Sequence, residues 1–493
     1  MSSDIRAEAE AIASRIQTPE IPDREVNVLD RTDLRPDAGG TADFRPLVQQ
    51  LLDEAAEAGG GRVVIPSPEG AAEPVTYRLR GPLHVGSRTE LRLGRNVRLF
   101  FEYHPESYLP GGEPVLTRYE GTMIYTHSPL IRAVRASDVV IRGEAGDGPL
   151  PIIDGDGEKW MNACFEGQDA AEARGDEPTY QMLKRINNEG MPVAERVFTD
   201  PNNGLLRPTM ISPLCCDRVL VEDVALHQGP FWMVHPVWST NLTFRRIRFN
   251  AHVINNDGID PESCRDVLIE DVEFDNADDN VAVKAGRDRE GREGFDPRGT
   301  ELEGVDSPFN QGGRLLGPNE NVVMRGCVLK GHHAICIGSE MSSGSRNFFA
   351  LDNVCHESVK LAVYLKGSRL RGGWIEDTYV EGLKIRNAIR GAICLNANYD
   401  VAPEAKFPPK FRHTVIRDVE IEHAATGIRV HGWSDAACED VLIENVRIAS
   451  CDADPLDVQQ AENVVLRNVE IAGESYDGEY EHHSEEDRVP QII

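Results

Sequence analysis

The chain has 493 residues, 40% of them hydrophobic, and carries 82 acidic against 52 basic residues, a net charge of −30. That balance argues against nucleic acid and anionic membranes as partners, and no run approaches 18 consecutive apolar residues, so no stretch reads as a membrane-spanning helix. Only nine of the basic residues are lysine. A surface this acidic and lysine-poor suits a high-salt habitat, where a Debye length of about 3 Å at roughly 1 M salt screens self-repulsion.

Residues 1–24 show neither a basic start nor an apolar core of a secretion signal, and read as a short, charged helical extension. A cytoplasmic location is expected, or secretion where a signal precedes this sequence. Residues 43–57 pattern as an amphipathic helix with Phe44, Leu47, Leu51 and Leu52 on one side, followed by a glycine-rich turn into a strand.

A short pattern then recurs: a polar turn, Val-x-Ile, a polar or glycine corner, and Val-x-Ile again. It starts at Ser137, Asp217, Thr240, Arg265, Glu320, His413, Glu439 and Glu462. Apolar and polar residues alternate within each half, a strand signal of period two. Val219 to Leu242 is 23 residues, Leu242 to Val267 is 25, Val415 to Val441 is 26 and Val441 to Val464 is 23. Such a period without helices predicts an all-β fold, a single right-handed parallel β-helix over residues 25–472. The helix at 43–57 is expected to plug its N-terminal end. Residues 161–206 and 285–318 read as long loops of the kind that line binding sites. The tail, 473–493, reads as acidic, peripheral and partly disordered. None of the ten cysteines has CxxC or zinc-ligand spacing, so buried thiols are expected rather than disulfides or a metal.

Polar residues that could do chemistry concentrate between 255 and 371. Asn255-Asn256-Asp257 precedes Asp278-Asp279 by about one coil, and stacked coils lie about 5 Å apart. Carboxylates held so close repel, which raises at least one pKa; unequal carboxylates are what glycoside hydrolysis uses. Alternation puts Asp278, Asn280 and Lys284 outward and Asp279 inward, so both aspartates reach one site only if the strand bends. Gly331-His332-His333 opens a strand, with His332 outward and His333 in phase with the core residues Ile335 and Ile337. Tyr364 and Lys366 alternate with Val363 and Leu365 and point outward. With Arg369 and Arg371 nearby, Lys366 is a candidate carboxylate clamp.

The order N-x-D, DD, GH and strand lysine resembles the polygalacturonase family, glycoside hydrolase family 28, whose pattern is Asn-Thr-Asp, Asp-Asp, Gly-His-Gly and Arg-Ile-Lys. Flanking stretches at Asp154 (DGDGEKW), Pro230 (PFWMVHPV, with His235), Asn256 (NDGIDPESC), Lys284 (KAGRD), Ile337 (IGSE) and Lys366 (KGSRLRGG) look like its bacterial and archaeal branch. The resemblance, from about residue 25 to 470, implies an inverting hydrolase with no metal or other cofactor. It implies Asp278 as general acid, Asp257 and Asp279 holding and activating water, and His332 assisting the acid. Lys366 would bind the uronate carboxylate, with Asn255, Lys284, Tyr364, Arg369, Arg371 and His235 as further substrate-binding candidates. Two positions depart from the pattern: Tyr364 replaces its arginine and His333 its second glycine.

The expected reaction is hydrolysis of α-1,4 linkages in pectin-derived galacturonate oligomers, acting from chain ends. Open alternatives are hydrolysis of a rhamnogalacturonan, xylogalacturonan or rhamnoside linkage, a calcium-dependent pectate lyase, and a non-catalytic carbohydrate-binding solenoid. The expected partner is an acidic oligosaccharide or polysaccharide; oligomeric state is not legible.

Overall fold

The computed structural model describes residues 5–484 except 37–38, 69–73, 147 and 400–404. The right-handed parallel β-helix expected from the sequence is the observed fold. One ladder runs nearly the length of the molecule. Thr89 pairs with Val139, and then in turn come Val219, Leu242, Val267, Val322, Phe348, Thr378, Thr414, Val441 and Val464.

Two corners per coil explain the polar positions of the repeat. The first holds Asp138, Arg218, Asn241, Asp266, Asn321, Asp440 and Asn463 at φ between 52 and 61°. The second holds Asp223, Arg246, Asp271, Gly326, Asp418, Asn445 and Asn468 at φ between 51 and 63°. Asn, Asp and Gly enter this left-handed region at the least steric cost. Their side chains also stack from coil to coil: Asn445 Nδ2 donates to Asp418 Oδ1 (3.0 Å) and Asn468 Nδ2 to Asn445 Oδ1 (2.9 Å).

The repeat also passes through Ser345–Leu351 and Trp374–Glu381, where alternation fails to reveal it. There Phe348 enters the core while its neighbour Phe349 lies on the outside, beneath helix α1 (Ile5–Arg15). Ile5, Ala9 and Ile12 of α1 cover Leu268, Val323, Phe349 and Tyr379, so these coils are apolar on both faces. The pairing at 413 corrects the expected register by one residue. Thr414, not Val415, faces Val441, which sends Ile416 and Val419 into the core and Val415 toward α1.

Helix α2 (Arg45–Glu57) packs on the first coils, with Phe44, Leu51 and Leu52 fully buried and Leu47 partly so. The two stretches read as loops are more ordered than that. Residues 161–206 hold most of α3 (Gly157–Arg174) and all of α4 (Thr179–Glu189), and 285–318 hold α5 (Asp288–Glu293) and a two-residue hairpin. Their polar composition hid amphipathic faces such as Leu183 and Ile186, buried beside Phe231 and Trp232. The tail is not merely peripheral: Glu474–Ser475 and Gly478–His482 fold back antiparallel on Ala461–Ile471 and cover that edge. Residues 485–493 of the expected disordered tail lie outside the described residues. All ten cysteines are free, and nine are buried.

Candidate active site

Four successive coils build one face. Ile259 pairs with Val281, Val281 with Ile335, and Ile335 with Val363. The Gly258 N–H donates to the Asp279 carbonyl (2.8 Å) and the Asn280 N–H to that of His333 (2.8 Å), so Asp257, Asp279 and His333 lie in successive layers. Gly331 must lack a side chain: its φ is +112° and a Cβ would sit 2.0 Å from the Asn276 carbonyl.

The strand begins only at Val281, and the two aspartates occupy the bend before it. Simple alternation is therefore inverted. Asn280 turns inward and donates to Asn276 Oδ1 (2.7 Å) and the Lys330 carbonyl (2.8 Å), while Asp279 faces the site. The same break recurs one coil on, where Ala334 and Ile335 both enter the core. His333, expected to face the core, instead places Nδ1 2.5 Å from Asp279 Oδ1.

Charge is arranged in two groups. In the first, Lys284 Nζ lies 3.3 Å from Asp257, 3.5 Å from Asp260 and 3.6 Å from Glu340, over the Trp232 ring at 4.1 Å. In the second, Asp279 takes Lys366 Nζ on Oδ2 at 2.8 Å and His333 on Oδ1. His332 Nδ1 lies 3.2 Å from Asp278 Oδ1 and 3.7 Å from Asp279 Oδ1. Asn255 Nδ2 reaches Asp278 Oδ2 at 3.5 Å.

Proton affinities diverge accordingly. Burial, with Asp260 and Asp278 adding like charge, pushes Asp257 well above the carboxylate range. Burial also lifts Asp260 to about 8 against the pull of Lys284. Burial would raise Asp279 too, but Lys366 and His333 overcome it and hold that carboxyl well below its ordinary value. Burial lowers His333 to about 4, so it is a neutral ring. Burial opposes charge on His332 as well, but Asp278 and Asp279 prevail and raise it.

Asp257, Asp278, Asp279, Lys284, Glu340 and Lys366 line a cleft of about 700 Å³ that also takes in Arg371, Arg287 and Tyr399. Tyr180, Lys184 and Asn188 of α4 supply one wall, so the inserted stretch does border the site, through a helix. Three of the nine lysines, Lys184, Lys284 and Lys366, face this one cleft. Arg371 Nη1 is 2.9 Å from Glu340 Oε1.

Four sequence-derived candidates are not in the cleft lining. His332 stands beside it, held against Asp278. Arg369 turns away to Asp435 (2.5 Å) and the Ala405 carbonyl. His235 is fully buried, its Nε2 2.9 Å from Glu262 Oε2 beneath Trp232. Tyr364 does point to the outer face of its strand, but it is 4% exposed, packed against His333. Conversely, Glu340, Arg287, Lys184 and Asp260 were missed. Glu340, Asp260 and Arg287 fall inside the flanking stretches IGSE, NDGID and KAGRD, which is where a signal lay; Lys184 sits in an inserted segment that carries no motif.

Two donor sets have the composition of metal sites: Asp279, His333 and Cys336, and Asp278, Asp279 and His332, each with ligand atoms within 4.8 Å of one another. Asp279 belongs to both, and the Lys366 ammonium already supplies it with the positive charge a cation would bring.

The family model for glycosyl hydrolases family 28 matches residues 184–464. An exopolygalacturonase from Thermotoga maritima is 30% identical, superposes with a TM-score of 0.79, and is matched over 97% of this chain and 99% of its own. A family 28 exopolygalacturonase from Yersinia enterocolitica, 16% identical, shares the fold at a TM-score of 0.64 over 94% of this chain and 77% of its own. A probable polygalacturonase from Vitis vinifera is 29% identical over 250 residues, 49% of this chain; the match spans only 46% of that protein's length. By the extent of the family match and of the Thermotoga likeness, this chain belongs to glycosyl hydrolase family 28.

Proposed function

We propose that this glycosidase hydrolyses α-1,4-galacturonosidic linkages of pectin-derived oligomers, releasing units from a chain end. The observation that carries the reading is the convergence of Asp257, Asp278 and Asp279 with Lys284, Lys366 and Arg371 on one cleft. Carboxyls of opposed proton affinity suit acid–base cleavage of a glycosidic bond. A cluster of cations inside a protein of net charge −30 suits a substrate that is itself a carboxylate. The α4 wall favours a short, end-on substrate, and the Thermotoga and Yersinia relatives are exopolygalacturonases by name.

In this reading Asp278 protonates the leaving oxygen. Its side chain keeps 23% exposure at the cleft surface beside His332, whereas Asp257 is pinned to Lys284 with 5%. Asp279, held ionised by Lys366 and His333, is the acceptor for the proton of the attacking water, which Asp257 helps to hold. Lys366 and Arg371 bind the uronate carboxylate, and Asn255 orients Asp278. The protein works in high salt and groups with the prokaryotic members of the family.

The test is Asp278→Asn. Loss of a general acid costs about 10²–10⁴-fold in kcat, so oligogalacturonate hydrolysis should fall by that factor with the fold intact. Undiminished turnover would remove Asp278 from the chemistry. Wild-type activity confined to rhamnose-containing pectin fragments would move the substrate to another linkage.

A further inference from the structure

Tyr364 and His333 form a contact that the reaction above does not use. Tyr364 lies on the strand Val359–Lys366 between the core residues Val363 and Leu365. Its ring meets that of His333 edge-on, centroids 4.9 Å apart. His333 in turn holds Asp279 Oδ1 at 2.5 Å, while Lys366 holds Oδ2 at 2.8 Å. The Lys366 ammonium also lies 5.4 Å from the Tyr364 ring centroid. Tyr364 thus borders both groups that fix the Asp279 carboxylate.

The far nitrogen of His333, Nε2, is buried and has no hydrogen-bond partner among the described residues. No polar contact from these residues at that end sets the plane of the ring. Its orientation depends on packing, against Tyr364 on one side and His332, centroids 4.0 Å away, on the other. Tyr364 pairs in register with Cys394 on the next coil and packs with it, which backs the brace from behind. A ring that is 4% exposed and absent from the cleft lining cannot grip a sugar. Both residues stand where the chain departs from the Gly-His-Gly and Arg-Ile-Lys pattern, on coils that are hydrogen-bonded neighbours.

We propose that Tyr364 and His333 act as one positioning unit: Tyr364 braces the His333 ring, His333 fixes the rotamer of Asp279, and neither reads the substrate. The proposal rests on the reading of Asp279 as a catalytic carboxylate. Misplacing such a group by an ångström costs about a hundredfold, whereas a lost sugar contact raises KM.

The experiment measures kcat and KM on trigalacturonate for Tyr364→Ala, Tyr364→Phe, His333→Gly, His333→Gln and the Tyr364→Ala/His333→Gly pair, with Asp279→Asn alongside. Tyr364→Ala and His333→Gly should each lower kcat by about tenfold to a hundredfold at unchanged KM. The double variant should be no worse than the poorer single, because the two act in series. Tyr364→Phe keeps the ring and His333→Gln keeps an N–H donor for Asp279, so both should retain more activity than their truncated counterparts. Should Tyr364→Ala fail to fold, the comparison of Gln with Gly at 333 still decides. A raised KM at unchanged kcat for Tyr364→Ala, or losses that multiply in the double variant, would overturn the proposal. An active Asp279→Asn would instead overturn the catalytic reading beneath it.

Discussion

Asp279 is the carboxylate whose charge the site takes most trouble to keep. Lys366 at 2.8 Å and His333 at 2.5 Å offset the cost of burying it. A folded pKa below the unfolded value contributes stability above the ordinary carboxylate pKa of about 3.9, lost as pH falls through the lower folded value. Lys366→Met removes the larger of the two attractions, leaving burial to raise Asp279. The acid limb of the pH–activity profile should then move to higher pH, which initial rates across a pH series would read directly. Asp260 has the opposite sign. Both its oxygens are buried with no hydrogen-bond partner among the described residues, and its carboxyl is lifted to about 8. Between about 3.9 and that value the folded state binds more protons than the unfolded, so this group makes stability decline as pH rises. Asp260→Asn should flatten that decline and raise the melting temperature at pH 8 more than at pH 5. At this scale the sequence showed Asp257, Asp278, Asp279, His332, Lys284 and Lys366, because they recur on successive coils. It could not show that Asn280 and Ala334 turn inward; the break at Asn280, in the bend before Val281, turns Asp279 into the cleft, and the break at Ala334 turns His333 onto Asp279.

The inserted segments are tied to the coils by a buried ionic network. Arg118 Nε donates to Glu262 Oε1 (2.6 Å) and its Nη1 to Glu290 Oε1 on α5 (3.0 Å). Arg196 Nη1 donates to Glu290 Oε2 (2.5 Å), and His235 closes on Glu262. His235 therefore belongs to a strut behind the cleft. Removing one partner of such a network leaves uncompensated buried charge, at about 3–5 kcal/mol. Glu290→Ala, which takes the carboxylate from Arg196 and leaves Arg118 with Glu262 alone, should destabilise by that order in denaturant unfolding. It should also weaken substrate binding more than turnover, because α5 lies beside Arg287 and Asp288 in the cleft wall. The coils were legible wherever one face is core and the other solvent. They faded at Phe348–Phe349 and Thr378–Tyr379, where α1 buries the outer face too, and the register at Val415 slipped for the same reason. Helices α3 and α4 were missed because each buries only a narrow apolar stripe, Trp160, Cys164 and Ala171 in the one and Leu183 and Ile186 in the other.

Over the whole molecule, 82 acidic residues outnumber 52 basic ones, and arginines are arrayed in ladders with carboxylates along the helix axis. Glu222, for one, takes Arg142 from the coil on one side and Arg245 and Arg246 from the coil on the other. Salt weakens such exposed pairs, each worth about 0–1 kcal/mol, and also screens the net repulsion of −30 charges. The excess of acid decides the sign: the melting temperature should rise between low salt and molar potassium chloride, as thermal unfolding in a salt series would show. The same screening would let a polyanionic substrate approach the cleft where Lys184, Lys284, Arg287, Lys366 and Arg371 gather. The central claim is that this cleft removes uronate units from a chain end. The most direct measurement is size-resolved product analysis of trigalacturonate in high salt by the wild type and Asp278→Asn. Single galacturonate units released from the outset by the wild type, and lost in the variant, are the predicted result. No release from any galacturonate oligomer by the folded protein, or an unsaturated product diagnostic of elimination, would contradict it.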